Sequence, residues 1–145
     1  MRILSVDYGT VRTGIAISDF SGTIATPLDV IRMSDLNILA TRIAELASKH
    51  ETAKIIIGDP INMNGTRGEK CAVCEKLAEK LRNLSAVPVT LWDERLSTVS
   101  AHLIMNENNC RNKKRSEKID SVAAALILES YLGYSKNRKA AENEN

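Results

Sequence analysis

The sequence predicts an α/β fold in which a five-stranded mixed sheet is flanked by helices. Two observations carry this prediction. Three strand-like segments open the chain in close succession, and helical and strand-like segments alternate after them. Strands joined by short turns pair antiparallel, whereas strands separated by a helix pair in parallel through a right-handed crossover. A chain of 145 residues is expected to form one domain with a substantial core.

The strands are indicated by short apolar runs bounded by glycine, proline or polar residues. We predict five of them, over residues 3–6, 10–19, 23–31, 53–58 and 88–92. Pro27 places the third strand towards an edge of the sheet, because proline has no amide hydrogen to donate to a neighbouring strand. The fourth strand contains three consecutive isoleucines, which is typical of a parallel strand buried on both faces.

Apolar residues at helical spacing indicate four helices. Their apolar stripes lie within residues 38–47, 71–81, 96–106 and 119–132. Ser34 and Ser97 are the expected N-caps of the first and third helices. The chain has no apolar periodicity from residue 135 onwards. We therefore predict a single domain over 1–134 and a disordered tail over 135–145.

Composition narrows the class of function. Aromatic residues make up only 3% of the chain, which argues against the base-stacking platform of a single-strand binder. The net charge of +2 does not by itself indicate a nucleic-acid partner. No stretch resembles a signal peptide or approaches the ~20 apolar residues of a membrane span. We therefore expect a cytoplasmic protein without a membrane partner.

The cysteines also indicate a cytoplasmic protein. Their number, three, is odd and is typical of a reducing compartment rather than of a disulfide framework. Cys71 and Cys74 form a CxxC pair, but the pair lies in a helical stretch without the further ligands that a structural zinc site requires. We interpret them as two half-buried helical thiols.

Acidic residues follow two of the predicted strands. Asp7 ends the first strand, and Asp93 and Glu94 end the fifth. A carboxylate at the end of a buried strand is costly unless a cation, a proton or hydrogen-bond donors compensate it. If the two strands run parallel, these acids meet at the carboxyl ends of the strands, where α/β sheets bind ligands. Because side chains alternate along a strand, only one of Asp93 and Glu94 can face the same side as Asp7, and the sequence leaves that choice open.

Asp120 is a further candidate, at the start of the last predicted helix. It can be the N-cap of that helix, but Ser116 is an equally suitable cap. With Ser116 as the cap, Asp120 lies on the helix beside Ala123 and Ala124, a small-residue surface that allows close approach to the sheet. We favour this second interpretation.

Two or three converging carboxylates offer the hard oxygen ligands that suit Mg²⁺ or Mn²⁺ rather than zinc. A pair of such ions, about 3.5–4 Å apart, is a device for phosphodiester hydrolysis, in which one ion activates water and the other stabilises the leaving oxygen. The alternative is that each of these acids is a separate cap or a surface ion pair.

Basic residues near the acids are consistent with a polyanionic substrate, although charge runs are often merely solvated. Arg12 and Arg95 each follow an acid, and either can neutralise that neighbour or bind a phosphate. Asn62 and Asn64 lie in a loop that either binds a nucleic-acid backbone through its amides or merely turns the chain. A basic run precedes Asp120 and consists of Arg111, Lys113, Lys114, Arg115 and Lys118.

Four motifs follow one another along the chain. They are Asp7-Tyr8-Gly9 with Arg12, Gly14-Ile15-Ala16 and Asp19; Gly58 and Pro60 with Asn62-Met63-Asn64-Gly65; Asp93-Glu94-Arg95-Leu96-Ser97-Thr98; and Asp120 with Ala123-Ala124. In this order and spacing they resemble the YqgF family, whose members are also called RuvX, Holliday junction resolvases or pre-16S ribosomal RNA nucleases. The resemblance covers residues 1–134.

The resemblance implies a ribonuclease H-like fold and divalent-metal cleavage of phosphodiester bonds. It places the catalytic, metal-binding acids at Asp7, Glu94 (or Asp93) and Asp120. It also implies that the substrate is structured nucleic acid and that the family's role is to trim the 5′ end of the 16S rRNA precursor in the bacterial cytoplasm.

One departure from the family pattern follows the fourth strand. Family members usually have Gly-Leu-Pro there, whereas this chain has Gly58-Asp59-Pro60. Related resolvases place an acid at the end of that strand, so Asp59 is either a fourth ligand or a solvent-facing substitution in a loop. We favour the latter.

Other functions stay open. The same fold can act on four-way DNA junctions, which requires paired incisions and therefore a dimer, so both a monomer and a homodimer are compatible with the sequence. A nucleic-acid-binding regulator that has lost catalysis is a further alternative. The Asp-x-Gly-x-x-x-x-Gly pattern over 7–14 also resembles the phosphate loop of actin-like kinases, but those enzymes need two such domains around the nucleotide.

Overall fold

A computed structural model describes the backbone of residues 1–96 and 113–143 and the side chains of residues 1–96 and 120–138. Five strands, a single 3₁₀ turn and three helices occupy these residues. In chain order they are β1 (Ile3–Asp7), β2 (Arg12–Ser18), β3 (Ala25–Arg32), α1 (Leu36–Lys49), β4 (Lys54–Asp59), α2 (Glu69–Leu84), β5 (Val89–Asp93), the 3₁₀ turn (Glu94–Leu96) and α3 (Lys113–Asn143).

The strands form one mixed sheet in the order β3-β2-β1-β4-β5. β1 pairs antiparallel with β2, and β2 pairs antiparallel with β3. β4 pairs in parallel with β1 on one side and with β5 on the other. The predicted five-stranded mixed sheet is therefore confirmed. Pro27 lies on the edge strand β3, as expected for a residue without an amide hydrogen.

The helices cover the two faces of the sheet, and aliphatic side chains fill both interfaces. α1 and α2 pack on one face, where Ile43 and Leu77 contact a layer that includes Ile57 of β4. α3 packs on the opposite face, where Leu128 joins Ile56 of β4 in a second cluster. Consecutive residues of β4 thus face opposite helix layers, as the pleat of a strand requires. None of the described helices is long and apolar enough to cross a bilayer.

Two details of α1 and α2 differ from the sequence interpretation. The N-cap of α1 is Asp35 rather than Ser34, because its carboxylate accepts hydrogen bonds from the backbone N–H of Asn37 at 2.9 Å and of Ile38 at 3.1 Å. Cys71 and Cys74 of α2 are fully buried rather than half-buried, with exposed fractions of 2% and 0%. Both thiols are free.

α3 is longer at both ends than its apolar stripe indicates. It runs over Lys113–Asn143 and thus includes residues 113–118, which contain most of the basic run, and 135–143, predicted to be disordered. Alanine, lysine and glutamate are strong helix formers, and they continue a helix beyond its buried stripe without adding apolar periodicity. The domain boundary at residue 134 stays a prediction. Of the helix predicted over 96–106, only Leu96 is described, and it lies in the 3₁₀ turn. The rest of that helix, with its predicted N-cap Ser97, falls within residues 97–112, which lie outside the described residues.

Candidate active site

The acids Asp7 and Glu94 meet at the carboxyl ends of the parallel strands. Asp7 ends β1, and Gly58 of β4 lies beside it because the preceding residues, Val6 and Ile57, are paired in register. Gly58 has no side chain, and Glu94 occupies the space above it. A Cβ atom at Gly58 would lie only 2.5 Å from Oε1 of Glu94. A glycine on β4, between β1 and β5, therefore makes room for the carboxyl group of Glu94 next to Asp7.

The two carboxyl groups share a hydrogen bond and have strongly raised pKa values. Burial raises the pKa of Asp7 to about 6, against the opposing effect of the positive charge of Lys70. Burial, followed by the negative charge of Asp7, raises the pKa of Glu94 to about 7. The shared hydrogen bond raises the pKa of Glu94 and lowers that of Asp7. Without a cation, the pair therefore retains a proton up to nearly neutral pH.

The pleat of β5 turns Asp93 away from this pair. Asp93 is in register with Asp59 of β4, one residue beyond the position of Gly58, so its side chain lies on the opposite face of the sheet from Asp7. Its carboxylate accepts hydrogen bonds from Nε and Nη2 of Arg95 at 3.0 and 2.7 Å. The hydrogen bonds with Arg95 lower the pKa of Asp93. The choice that the sequence left open is resolved here: Glu94, and not Asp93, faces Asp7.

Asp120 approaches the pair from α3. The helix starts at Lys113, so Asp120 lies inside it rather than at its N-cap. Gly14 of β2 permits close contact with the helix, because a Cβ atom there would lie 2.0 Å from the carbonyl oxygen of Asp120. The hydroxyl group of Ser5 donates a hydrogen bond to the carbonyl oxygen of Ala124 at 2.6 Å, which anchors the next turn of the helix to β1. The charge of Asp120 is near enough to Asp7 to raise its pKa further.

The carboxyl groups fit a divalent cation that is held mainly by two of them. Among the described residues, no three His, Cys, Asp or Glu side chains converge closely enough to be a ready-made ligand set. Mg²⁺ commonly takes only one or two protein carboxylates and fills its other positions with water and phosphate oxygens. Asp7 and Glu94 provide such a pair of hard oxygen donors, and burial raises both pKa values because it disfavours the charged carboxylates. The donor set is therefore suited to Mg²⁺ or Mn²⁺.

Both arginines near the acids are engaged by carboxylates in this structure. Nε of Arg12 lies 3.1 Å from Oδ2 of Asp120. Arg95 binds Asp93 through its guanidinium and also through its backbone N–H, at 2.9 Å. Of the two roles that the sequence allowed for these arginines, the structure shows neutralisation of a neighbouring acid. The side chains of the basic run, Arg111, Lys113, Lys114, Arg115 and Lys118, lie outside the described part of the chain.

Asn62 and Asn64 hold the turn that follows β4. Nδ2 of Asn62 donates a hydrogen bond to Oγ1 of Thr66 at 2.9 Å, and Oδ1 of Asn64 accepts one from the backbone N–H of Thr66 at 3.0 Å. Gly65 completes the turn at a φ of +87°, which favours glycine. These contacts support the interpretation that the two asparagines turn the chain, and a role in binding nucleic acid stays a prediction.

Asp59 is neither a loop residue nor solvent-facing, so the favoured interpretation of this position is wrong. It is the last residue of β4 and is only 4% exposed. Nη1 of Arg67 donates a hydrogen bond to its Oδ2 at 2.7 Å, and Arg67 also binds Glu75 of α2. Because Asp59 follows Gly58 directly, its side chain lies on the face of the sheet opposite Asp7. Its ion pair with Arg67 ties the loop after β4 to the sheet.

Lys70 belongs to the site but was not identified from the sequence. It lies in the first turn of α2, is exposed, and its positive charge lowers the pKa values of both Asp7 and Glu94. A single lysine in a charged helix carries no sequence signal of its own. Its relevance follows from the packing of α2, which brings the start of that helix to the carboxyl ends of β1 and β5.

Comparison with known proteins identifies similar chains over nearly the full length. The family described as "RuvX: Holliday junction resolvase" matches residues 1–134. A "Putative pre-16S rRNA nuclease" from Ruminiclostridium cellulolyticum is 42% identical over 133 residues, which cover 91% of this chain and 94% of the relative. A relative of the same name from Thermoanaerobacter pseudethanolicus is 42% identical over 139 residues, which cover 95% of this chain and all of the relative.

Solved structures show the same fold at low sequence identity. RuvC of Thermus thermophilus, in complex with Holliday junction substrate, matches with a TM-score of 0.60 at 14% identity and covers 94% of this chain and 95% of its own. The fowlpox virus Holliday junction resolvase matches with a TM-score of 0.51 at 13% identity, over 92% of this chain and 99% of its own. The ribonuclease H-like fold that the sequence predicts is therefore confirmed.

Proposed function

Because the chain belongs to the RuvX Holliday junction resolvase family, it is a nuclease that hydrolyses phosphodiester bonds, and we propose that Asp7, Glu94 and Asp120 form its catalytic centre. The observation that carries this proposal is the buried pair of Asp7 and Glu94. Two adjacent carboxyl groups with raised pKa values are destabilising for the fold alone. A bound cation would compensate the negative charge of the two carboxyl groups and would also bind a substrate phosphate.

We further propose that these acids bind a divalent metal ion. Mg²⁺ or Mn²⁺ bound to Asp7 and Glu94 would supply a polarised water and neutralise charge on the leaving oxygen. The chain itself provides the rest of the site. The ion pair with Arg12 fixes the carboxylate of Asp120 beside the pair, and Lys70 brings a positive charge to the side of the site formed by α2. A phosphate that approaches the acids therefore meets a lysine from one helix and an arginine from β2.

For the substrate, we propose the 5′ end of precursor 16S rRNA, processed in the bacterial cytoplasm. Support comes from the names of relatives that are 42% identical over more than nine-tenths of this chain. The family match over residues 1–134 includes the segments that carry Asp7, Glu94 and Asp120. A structured RNA also suits the basic run that precedes Asp120, whose residues would bind its phosphates.

A second candidate substrate is a four-way DNA junction, and the description of the matching family favours it. Junction resolution requires two symmetric incisions, so that activity would need a homodimer with two sites. A gel assay that compares a synthetic four-way junction with a precursor rRNA fragment separates the two candidates. A monomeric enzyme that cleaves only the RNA supports the first, and paired nicks in the junction support the second.

The catalytic assignment is tested by three single substitutions that alter charge but little shape. We expect Asp7→Asn and Glu94→Gln to abolish cleavage in Mg²⁺ or Mn²⁺, because each removes a carboxylate from the buried pair. Asp93→Asn is the matched control, since it changes the adjacent acid that faces the other side of the sheet, and we expect it to retain activity. Cleavage at the wild-type rate by Asp7→Asn would contradict the proposal, and binding without cleavage by the wild type would indicate a non-catalytic regulator.

A further inference from the structure

The chain has few aromatic residues, and three of them meet between the end of β5 and α3. The ring centroids of Trp92 and Tyr131 lie 5.3 Å apart, and those of Trp92 and Tyr134 lie 5.1 Å apart. Trp92 and Tyr131 are partly buried against the core between the sheet and α3. Tyr134, by contrast, is 50% exposed. The cluster therefore holds the Tyr134 ring in place and leaves half of its surface open to a ligand.

An open groove of about 360 Å³ lies beside this cluster, between α3 and the 3₁₀ turn. Leu96, Leu126 and Tyr134 supply its apolar surface, and Glu129, Ser130 and Asn137 supply its polar groups. A concave surface of this size, with aromatic and aliphatic walls and a few polar groups, is typical of a site for a small planar ligand or for one residue of a larger one.

The groove begins next to the carboxyl group of Glu94. Glu94 starts the 3₁₀ turn that ends with Leu96, and the carbonyl oxygen of Leu96 accepts a hydrogen bond from Oγ of Ser130 at 2.7 Å. A Cβ atom at Gly58 would lie 2.5 Å from Oε1 of Glu94 and 2.8 Å from Cδ1 of Ile127. Glu94 therefore neighbours α3 directly, and both walls of the groove start beside it. A nucleic-acid strand with one phosphate at the acidic pair has nearby nucleotides within reach of the groove.

The charge of the groove decides which part of such a strand fits it. Glu129 is exposed, and no other described residue forms a hydrogen bond or an ion pair with its carboxylate. A phosphate group would be repelled by this negative charge. A nucleobase carries no charge, donates N–H groups to carboxylate oxygens and has a flat face that stacks on a tyrosine ring. The groove therefore suits a base rather than the sugar-phosphate backbone.

We propose that the groove binds one unpaired nucleobase of the substrate strand, stacked on Tyr134 with its Watson–Crick edge towards Glu129. This site rests on the proposed catalytic centre, because the strand must pass Glu94 to reach it. Guanine fits best, since among the four bases only guanine presents two adjacent N–H groups on that edge, which match the two oxygens of a carboxylate. Both the face and the edge of a base are covered in a continuous duplex, so the groove selects unpaired nucleotides.

The test uses Tyr134→Ala, the conservative variant Tyr134→Phe and the control Phe20→Ala. Phe20 is also an exposed aromatic residue, at 56%. Its ring packs against the guanidinium of Arg2, which precedes β1 and so lies at the opposite end of that strand from Asp7. A synthetic RNA hairpin with a single-stranded 5′ extension of uracils is the first probe, and guanine replaces uracil at one position of the extension at a time. A fully paired RNA duplex of the same length is the second probe.

Affinities are measured in an Asp7→Asn background, so that the probes are not cleaved, and kcat and KM are measured in the active enzyme. We expect guanine at one position to bind about 5-fold more tightly than uracil, the lower end of the discrimination that a bidentate base contact provides. We expect Tyr134→Ala to weaken binding of that hairpin and to raise its KM by about 5- to 10-fold, the lower part of the range for loss of a base-stacking contact. Binding of the duplex and kcat should not change.

The other variants separate a base contact from a structural effect. Tyr134→Phe retains the ring and should restore the affinity, and Phe20→Ala should alter none of these values. Glu129→Gln is expected to remove most of the preference for guanine while the all-uracil hairpin binds as before. Because Glu129 is exposed, this second variant keeps the test valid even if Tyr134→Ala lowers the melting temperature.

Three results would overturn the inference. Wild-type affinity and KM in Tyr134→Ala would show that no base contacts the ring. Equal weakening for the hairpin and the duplex would show that the effect is not on an unpaired base. A changed sedimentation coefficient of Tyr134→Ala without a change in RNA affinity would show that a second copy of the chain occupies the groove. Failure of the proposed function is distinguishable from all three, because the wild-type enzyme would then cleave neither probe while the binding measurements still report on Tyr134.

Discussion

The substitution Asp7→Asn is expected to stabilise the metal-free protein at alkaline pH, although it removes the central acid of the site. The pKa of Asp7 rises from 3.8 to about 6 on folding, because the carboxyl group is buried and lies near the negative charge of Asp120. The folded state therefore binds a proton more tightly than the unfolded state. Asparagine has almost the same shape as the protonated aspartic acid but cannot become charged.

The sign and size of the effect follow from linkage. A raised pKa means that the free energy of unfolding is largest below about pH 4 and decreases as the pH rises through the folded value near 6. A shift of about two units, at 1.36 kcal/mol per unit, gives an upper limit of about 3 kcal/mol for the difference at pH 8. For a chain of this size that limit corresponds to a rise in Tm on the order of 10 °C.

The assay is a series of thermal unfolding curves, recorded by circular dichroism in EDTA between pH 4 and pH 8.5. We expect the Tm values of wild type and Asp7→Asn to be similar at pH 4 and to diverge above pH 5, with the variant higher. Asp93→Asn is the control, and we expect it to lower the Tm rather than raise it, because hydrogen bonds with Arg95 lower the pKa of Asp93. If Asp7→Asn is less stable than the wild type by the same amount at every pH, the carboxyl group is not an uncompensated buried charge and the reasoning is refuted.

Three further predictions concern the surroundings of the pair. Mn²⁺ is expected to raise the Tm of the wild type more at pH 8 than at pH 5, because the ion must displace protons from Asp7 and Glu94. It is expected to have little effect on the Tm of Asp7→Asn, and equal Tm shifts in both proteins would place the ion elsewhere. In a cleavage assay, Gly58→Ala is expected to lower kcat about 100-fold, because the new Cβ atom would lie 2.5 Å from Oε1 of Glu94 and displace its carboxyl group. Full activity of this variant would mean that the observed position of the Glu94 carboxyl group is not needed for cleavage. In urea unfolding, Arg67→Ala is expected to lower the free energy of unfolding clearly, because the buried Asp59 loses its cation. Glu75→Gln, which breaks only the exposed half of the same network, is expected to cost less than about 1 kcal/mol, and similar losses in both variants would contradict this account.

The fold was largely predictable because its strands are encoded locally. Each strand is a short apolar run, and the alternation of helices and strands after residue 32 determines which pairs are parallel. The edge position of β3 followed from the chemistry of Pro27 alone. The ends of α3 were not predictable in the same way, because a helix that continues past its buried stripe depends on backbone propensity, which leaves no apolar period to detect.

The acids of the site could be predicted from the sequence, but not which of Asp93 and Glu94 faces Asp7. Asp7 and the two acids after β5 could be brought to the same edge of the sheet by topology. The decision for Glu94 depends on Gly58 of the intervening strand, which provides the space for its carboxyl group. Asp59 was misinterpreted and Lys70 was missed for a related reason. Their environments are created by α2, whose packing angle and first turn are set by contacts distant in sequence.

A crystal structure determined with Mn²⁺ would show, through the anomalous signal of the ion, whether Asp7 and Glu94 together bind the catalytic metal. We expect an ion coordinated by carboxylate oxygens of both Asp7 and Glu94, with Asp120 close by and Asp93 still bound to Arg95. An ion coordinated by Asp93 or Asp59, or no ion at the Asp7–Glu94 pair at saturating Mn²⁺, would contradict this expectation.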